Sequence, residues 1–169
     1  MSLFLPDFMF DKVWRISGEF LKQNRIRALI LDVDNTLALH DSRAVDKRVL
    51  GWLSDMKRAG VSLIIVSNNR EERVRPFAEG LSLSFVARGK KPLPTGIIKA
   101  SGIMKIPLKE TALIGDQIFT DILGGNLGGA KTILVKPFSF EGEGRGIALK
   151  RILERPFVKS SIRKRGGYL

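Results

Sequence analysis

Apolar residues alternate between two patterns along this chain. Residues 28–33 (ALILDV) and 61–66 (VSLIIV) are apolar almost throughout and rich in β-formers, and 84–87, 111–114 and 131–135 repeat that character. A strand with no polar face is buried on both sides, as in a parallel sheet covered by helices. The intervals between these runs carry helical spacing. Over 46–59, Val49, Trp52, Leu53 and Met56 recur every three or four positions, and Gly60 stops the helix. Over 71–80, Val74, Phe77 and Ala78 share one face, with Pro76 expected to limit that helix or to place it late. Residues 95–104 and 120–127 read as weaker, glycine-containing helices. The alternation predicts an α/β fold, a Rossmann-like doubly wound, mostly parallel sheet with helices on both faces and right-handed crossovers.

No internal repeat or long linker interrupts this pattern. The one composition shift is EGEGRG at 141–146. Three segments follow: 1–24, an amphipathic piece packing on or beside the core; 25–140, the catalytic α/β body; and 141–169, a basic helix or tail. The N-terminal stretch, with Phe4, Phe8, Phe10 and Trp14, is interrupted by Pro6, Asp7 and Asp11. It lacks the basic start of a signal peptide and the ~18 uninterrupted apolar residues of a spanning helix. Its aromatics either pack on the body or insert into a membrane surface.

Charge narrows the partners. The 169 residues carry a formal net charge of +12, which favours phosphorylated or otherwise anionic partners. Much of the excess lies late: from Arg145 onward there are eight Lys or Arg against Glu154 alone. The absence of cysteine excludes disulfides, thiolate metal sites and cysteine nucleophiles, and a single histidine, His40, is too few for a histidine-built zinc site. His40 reads as a loop residue near the entrance of a site rather than as a catalyst.

The candidate chemistry sits where the apolar runs end. In LILDVDNTL (29–37), Asp32 and Asp34 follow a buried strand, at the edge where open α/β sheets bind ligands. Two crowded carboxylates repel unless a cation neutralises them, and oxygen ligands suit Mg²⁺, which also binds phosphate oxygens. A carboxylate can attack phosphorus while a second moves the proton. Alone, the same residues are equally a strand end with turn-forming side chains. The next strand runs into Ser67-Asn68-Asn69, whose hydroxyl suits a phosphate oxygen or a helix N-cap. Then come Arg88-Gly89-Lys90-Lys91-Pro92, a basic loop, and Gly115-Asp116-Gln117 with Asp121, further carboxylates at the same sheet edge.

This ordered set (DVDNT, SNN, KKP, GDQIFTD) resembles the haloacid dehalogenase superfamily of phosphohydrolases. The resemblance covers Asp32 to Asp121, more than half of the chain. It implies a Rossmann-like fold, Mg²⁺ dependence and an aspartyl-phosphate intermediate. Asp32 matches the nucleophile and Asp34 the acid/base. Thr36 and Ser67 match phosphate-binding hydroxyls, with Asn68 beside them. Lys91 matches the motif lysine, with Lys90 as the second choice. Asp116 matches the metal-binding aspartate and Asp121 the second acid of that motif. The expected metal set is thus Asp32, Asp34 through its backbone carbonyl, Asp116 and Asp121. LPDF (5–8), KPLP (91–94) and GDQIFTDILGGN (115–126) are similar to the capless subclass IIIA, which includes phosphatidylglycerophosphate phosphatases.

The intervals after Leu37 and after Asn69 are too short for a cap domain, so the site should be open to a phosphate borne on a large body. The leading expectation is a phosphatase of a membrane lipid phosphate, cytoplasmic or peripheral on an anionic membrane, its basic tail drawn to the lipid headgroups. The alternatives are a phosphatase of a soluble sugar, nucleotide or nucleic-acid-end phosphate, and a non-catalytic basic RNA- or ribosome-associated protein. Against the last stand the intact acidic set and the lack of an aromatic RNA-binding signature. No specific nucleic-acid partner is expected.

Overall fold

The computed structural model describes residues 3–39, 44–140 and 144–168; His40 lies outside them. Six parallel strands form one open sheet in the order β1-β6-β5-β2-β3-β4. They are β1 (Phe8–Phe10), β2 (Ala28–Leu31), β3 (Ser62–Val66), β4 (Ser84–Val86), β5 (Thr111–Gly115) and β6 (Lys131–Val135). The helices are α1 (Gly18–Gln23), α2 (Lys47–Arg58), α3 (Glu71–Gly80), α4 (Thr95–Met104), α5 (Leu123–Gly128) and α6 (Arg145–Arg165). Among the described residues no domain is inserted between β2 and α2 or between β3 and β4.

Burial follows the apolar runs. Every residue of the central strands β2 and β5 is buried, because both have a neighbour on each side and helices on each face. The strand period divides the core. Leu29 and Leu31 pack with Val49, Trp52 and Met56 of α2 and Phe77 of α3. Ile30 and Leu113 face the other way, onto Ile97 and Ala100 of α4.

Two helices differ in detail from their sequence patterns. Pro76 does not end α3 but sits inside it. Its ring is on the exposed side, where the carbonyl left without a donor is solvated. The helix over 120–127 opens with a single π turn, Ile118–Ile122, before α5.

The N-terminal segment contributes an edge strand that its apolar run was too short to announce. Phe8–Phe10 pairs with Ile133–Val135 of β6. Met9 and Phe10 are buried, Phe4 packs against Phe119 and Phe157, and Trp14 meets Phe138 and the Arg48 guanidinium. The Trp52 indole N–H donates to the Ile16 carbonyl at 2.8 Å, tying the segment to α2. These aromatics therefore lie against the body and do not present an insertion surface. Among the described residues no helix is long and apolar enough to cross a membrane.

Candidate active site

The chain runs outward from β2 to β3 and β4, then crosses back to β5 on the other side of β2. That reversal opens a crevice beyond the carboxyl ends of β2, β3 and β5. Asp32 follows β2 directly, and its N–H donates to the Ile114 carbonyl at 3.0 Å, extending the ladder to the residue expected as nucleophile. The chain then turns sharply. The amides of Thr36, Leu37 and Ala38 all return to the Val33 carbonyl, and Asn35 takes φ +59°, a left-handed conformation that asparagine tolerates.

A cleft of about 160 Å³ lies over this turn. Asp32, Asp34, Ser67, Lys91 and Asp121 line it, with Lys150 of α6 at one wall. At its floor the Lys91 ammonium stands 2.6 Å from Asp32 Oδ1 and 2.6 Å from Asp121 Oδ1. Lys91 is only 5% exposed, whereas Lys90 faces solvent. Asn68 holds the lysine in place: its amide donates to the Lys91 carbonyl at 2.8 Å and accepts from the Lys91 N–H at 2.7 Å. Asn68, expected as a substrate contact, thus has its amide engaged with the backbone that positions Lys91.

Asp121 is fixed as well. Its Oδ2 accepts from the Gln117 N–H at 3.1 Å. A Cβ at position 115 would stand 2.3 Å from Asp121 Cγ, so only glycine lets this carboxylate close over the end of β5.

Asp34 turns away from the other acids. Asn69 donates to its Oδ2 at 2.7 Å and Arg73 of α3 to its Oδ1 at 2.6 Å. Ser67 lines the cleft, its hydroxyl oxygen accepting from the Asn69 N–H at 3.2 Å. Thr36, the other expected phosphate-binding hydroxyl, is 1% exposed and lies beneath the cleft rather than in its lining; its Oγ1 is buried without a hydrogen-bond partner.

Oxygens of Asp32, Asp116 and Asp121 lie within 4.8 Å of one another, forming a buried acidic triad. Asp34, expected in the metal set through its backbone carbonyl, keeps its carboxylate outside this group. The crowding has electrostatic consequences. Burial pushes the Asp32 carboxyl up to about 7, with Lys91 opposing and Asp121 and Asp34 adding to the rise. Burial also carries Asp116 well above the usual carboxylate range, against the pull of Arg151. For Lys91, burial acts to lower the ammonium's value, but Asp121 and Asp32 outweigh it and the net shift is upward. Asp116 Oδ1 is buried without a hydrogen-bond partner. A hard divalent cation with oxygen ligands fits such a donor set, since it would neutralise the acids and satisfy that atom.

The sequence patterns included Asn69 in SNN without assigning it a role, and did not announce Arg73 or Arg151. Arg151 of α6 donates from Nη1 to the Asp116 backbone carbonyl at 2.7 Å and from Nη2 to its carboxylate. Beside it, Lys150 reaches Gln117 Oε1 at 3.1 Å, and buried Glu154 accepts from the Phe119 N–H at 2.7 Å. The register of the α6 charges against the loop after β5 carries no local sequence signal.

Comparisons with known proteins agree with this geometry. A family described as mitochondrial PGP phosphatase matches residues 1–76, and a HAD-hydrolase-like family matches 89–141. The chain is 36% identical over 163 residues to the "Probable phosphatase YqeG" of Bacillus subtilis (strain 168), covering 96% of this chain and 94% of that one. It is 25% identical to the chloroplastic phosphatidylglycerophosphate phosphatase 1 of Chlamydomonas reinhardtii, over 93% of this chain but only 62% of that protein. Among solved structures, the 4-nitrophenylphosphatase of Thermotoga maritima shares the fold with a TM-score of 0.60 at 14% identity, over 76% of this chain and 91% of that one. The cobalt-bound deoxy-D-mannose-octulosonate 8-phosphate phosphatase of Haemophilus influenzae does so at 0.51 and 17%, over 83% and 94%. With the sheet, the acidic crevice and these relatives in agreement, the chain belongs to the haloacid dehalogenase superfamily of phosphatases.

Proposed function

We propose that this phosphatase is Mg²⁺-dependent, works through an aspartyl-phosphate on Asp32, and acts on a membrane lipid phosphate such as phosphatidylglycerophosphate. The observation that carries the chemistry is the Lys91 ammonium held between Asp32 and Asp121 at the floor of the cleft. A cation there lets a carboxylate approach an anionic phosphoryl group.

In the first step an Asp32 oxygen bonds to phosphorus, the phosphorus–oxygen bond to the substrate alcohol breaks, and Asp34 supplies the proton that the leaving oxygen takes. In the second, water attacks phosphorus, Asp34 accepts its proton, and the bond to Asp32 breaks to release inorganic phosphate. Asn69 and Arg73 aim the Asp34 carboxylate for both transfers. The Ser67 hydroxyl, which lines the cleft, would donate to a phosphate oxygen. Asp121 acts through Lys91, which it orients. The carboxylates of Asp32 and Asp116 and the backbone carbonyl of Asp34 would hold Mg²⁺, with Asp121 adjacent. Bound there, the ion would draw negative charge from the phosphoryl group and offset the repulsion among the acids.

The lipid assignment is supported by the PGP phosphatase match over 1–76, by the lack of a cap domain among the described residues, and by α6, which is basic and exposes Leu149, Ile152 and Leu153. On this reading the protein works peripherally at an anionic membrane. Phosphate release with Mg²⁺, compared across lipid, sugar and nucleotide monoesters, tests it. At least a tenfold preference in kcat/KM for the lipid is expected. Preference for a soluble monoester would replace the lipid assignment, and full activity in excess chelator would overturn the metal.

A further inference from the structure

The C-terminal helix presents apolar residues to two different surroundings. Phe157 and Val158 face inward, packing with Met9, Leu134 and Ile122. Leu149, Ile152 and Leu153, spaced three and four apart, are each more than half exposed. Between the helix and the end of β6 lies a pocket of about 790 Å³, walled by Leu134, Val135, Phe140, Ile152, Val158 and Tyr168. A pocket of this size and lining suits an apolar ligand. It adjoins the acidic centre, since Asp116 and Arg151 are in its lining, but it shares no lining residue with the catalytic cleft, which meets α6 at Ile147 and Lys150.

Its rim is positive. Lys12, Lys136, Arg155 and Lys159 surround the apolar walls. Of the acids in the lining, Asp116 is paired with Arg151 through Oδ2 while its Oδ1 stays buried, and Glu154 accepts from the Phe119 N–H. Lys12 is tethered to the Pro137 carbonyl and Lys136 to Asp11, whereas the exposed Arg155 and Lys159 project from the helix beside the exposed stripe. Ile152 belongs to both the stripe and the pocket wall, so the two apolar surfaces are continuous.

We propose that this pocket binds one acyl chain of an anionic phospholipid, whose phosphate is met by Arg155 and Lys159. An apolar interior under a cationic rim complements a molecule with a hydrocarbon tail and an anionic head. A second copy of the chain would be a poor occupant, since each carries +12 and would bring like-charged rims together. The occupant is chosen on the pocket's own chemistry; only its arrival from a membrane rests on the lipid reading above.

The test uses the full chain with Asp32→Asn, so that turnover plays no part, and vesicles containing phosphatidylglycerol with a diazirine in one acyl chain. Phosphatidylglycerol has no phosphomonoester and is no substrate for the cleft. Photolabel is expected in peptides from residues 134–140 and 148–168. Ile152→Glu, a change at an exposed position, should reduce that label at least tenfold. Arg155→Ser with Lys159→Ser should weaken vesicle binding about thirtyfold, as loss of two cations at a lipid surface implies. Melting temperatures check that both variants are folded. Label elsewhere, label unchanged by Ile152→Glu, or equal binding to phosphatidylcholine vesicles overturns the proposal. So does a dimer that Ile152→Glu disperses with no lipid label found. Failure to hydrolyse any lipid monoester, with the label in place, would overturn the substrate reading and leave this one standing.

Discussion

Arg151, on the C-terminal helix, closes on Asp116 at the end of β5, bonding both its carbonyl and its carboxylate. The pair joins the last helix to the acidic centre. The Asp116 side chain is fully buried and the Arg151 side chain is 13% exposed, so the carboxylate depends on this partner rather than on water.

Removing the arginine should therefore cost more than a surface pair would. Arg151→Ala is expected to destabilise the metal-free protein by about 3 kcal/mol, since a buried carboxylate loses its partner. Mg²⁺ should recover part of the loss by binding the native state. Thermal melts with and without Mg²⁺ check this; equal losses in both would argue against cation binding at Asp116.

Asp32→Asn should lower phosphate release by at least about a thousandfold while the protein stays folded, because an amide cannot form the acyl-phosphate. Turnover and circular dichroism on one preparation decide it. Activity near that of the parent would rule out Asp32 as the nucleophile.

Asn68→Ala should leave some turnover. It frees the Lys91 backbone from two hydrogen bonds without touching the ammonium or Asp32. A small displacement of a positioned group costs up to about a hundredfold, so kcat is expected to fall tenfold to a hundredfold. A direct substrate contact would instead raise KM and spare kcat, and steady-state kinetics separate the two.

The acidic triad also predicts how stability varies with pH. Asp32 titrates near 7 in the fold and in the ordinary carboxylate range when unfolded. Between those values the native state binds the extra proton, so this group's contribution falls as pH rises through that window. Metal-free protein should lose stability from about pH 5 to 7 on this account, and Asp32→Asn should flatten the slope. Urea midpoints across that range measure both, and a metal-free stability that rose equally in parent and variant would contradict it.

The amino-acid order determined the sheet and the edge where the chemistry lies. Runs such as 28–33 and 111–114 are apolar on both faces, which only a doubly covered parallel strand accommodates, and their ends carry Asp32 and Asp116. Those signals are local, so they survive without a structure. Tertiary structure alone decided what no local pattern encodes. Lys91 and Lys90 are adjacent and chemically alike, yet one turn buries the first between two carboxylates and leaves the second in solvent. Phe8–Phe10 is too short to identify as a strand until β6 offers an edge. Arg73 and Arg151 look like ordinary surface cations among 29 Lys and Arg, and only the packing of α3 and α6 brings them to Asp34 and Asp116. Pairings across 39 and 35 residues depend on how helices dock, and docking is settled by the whole core rather than by neighbours in the chain.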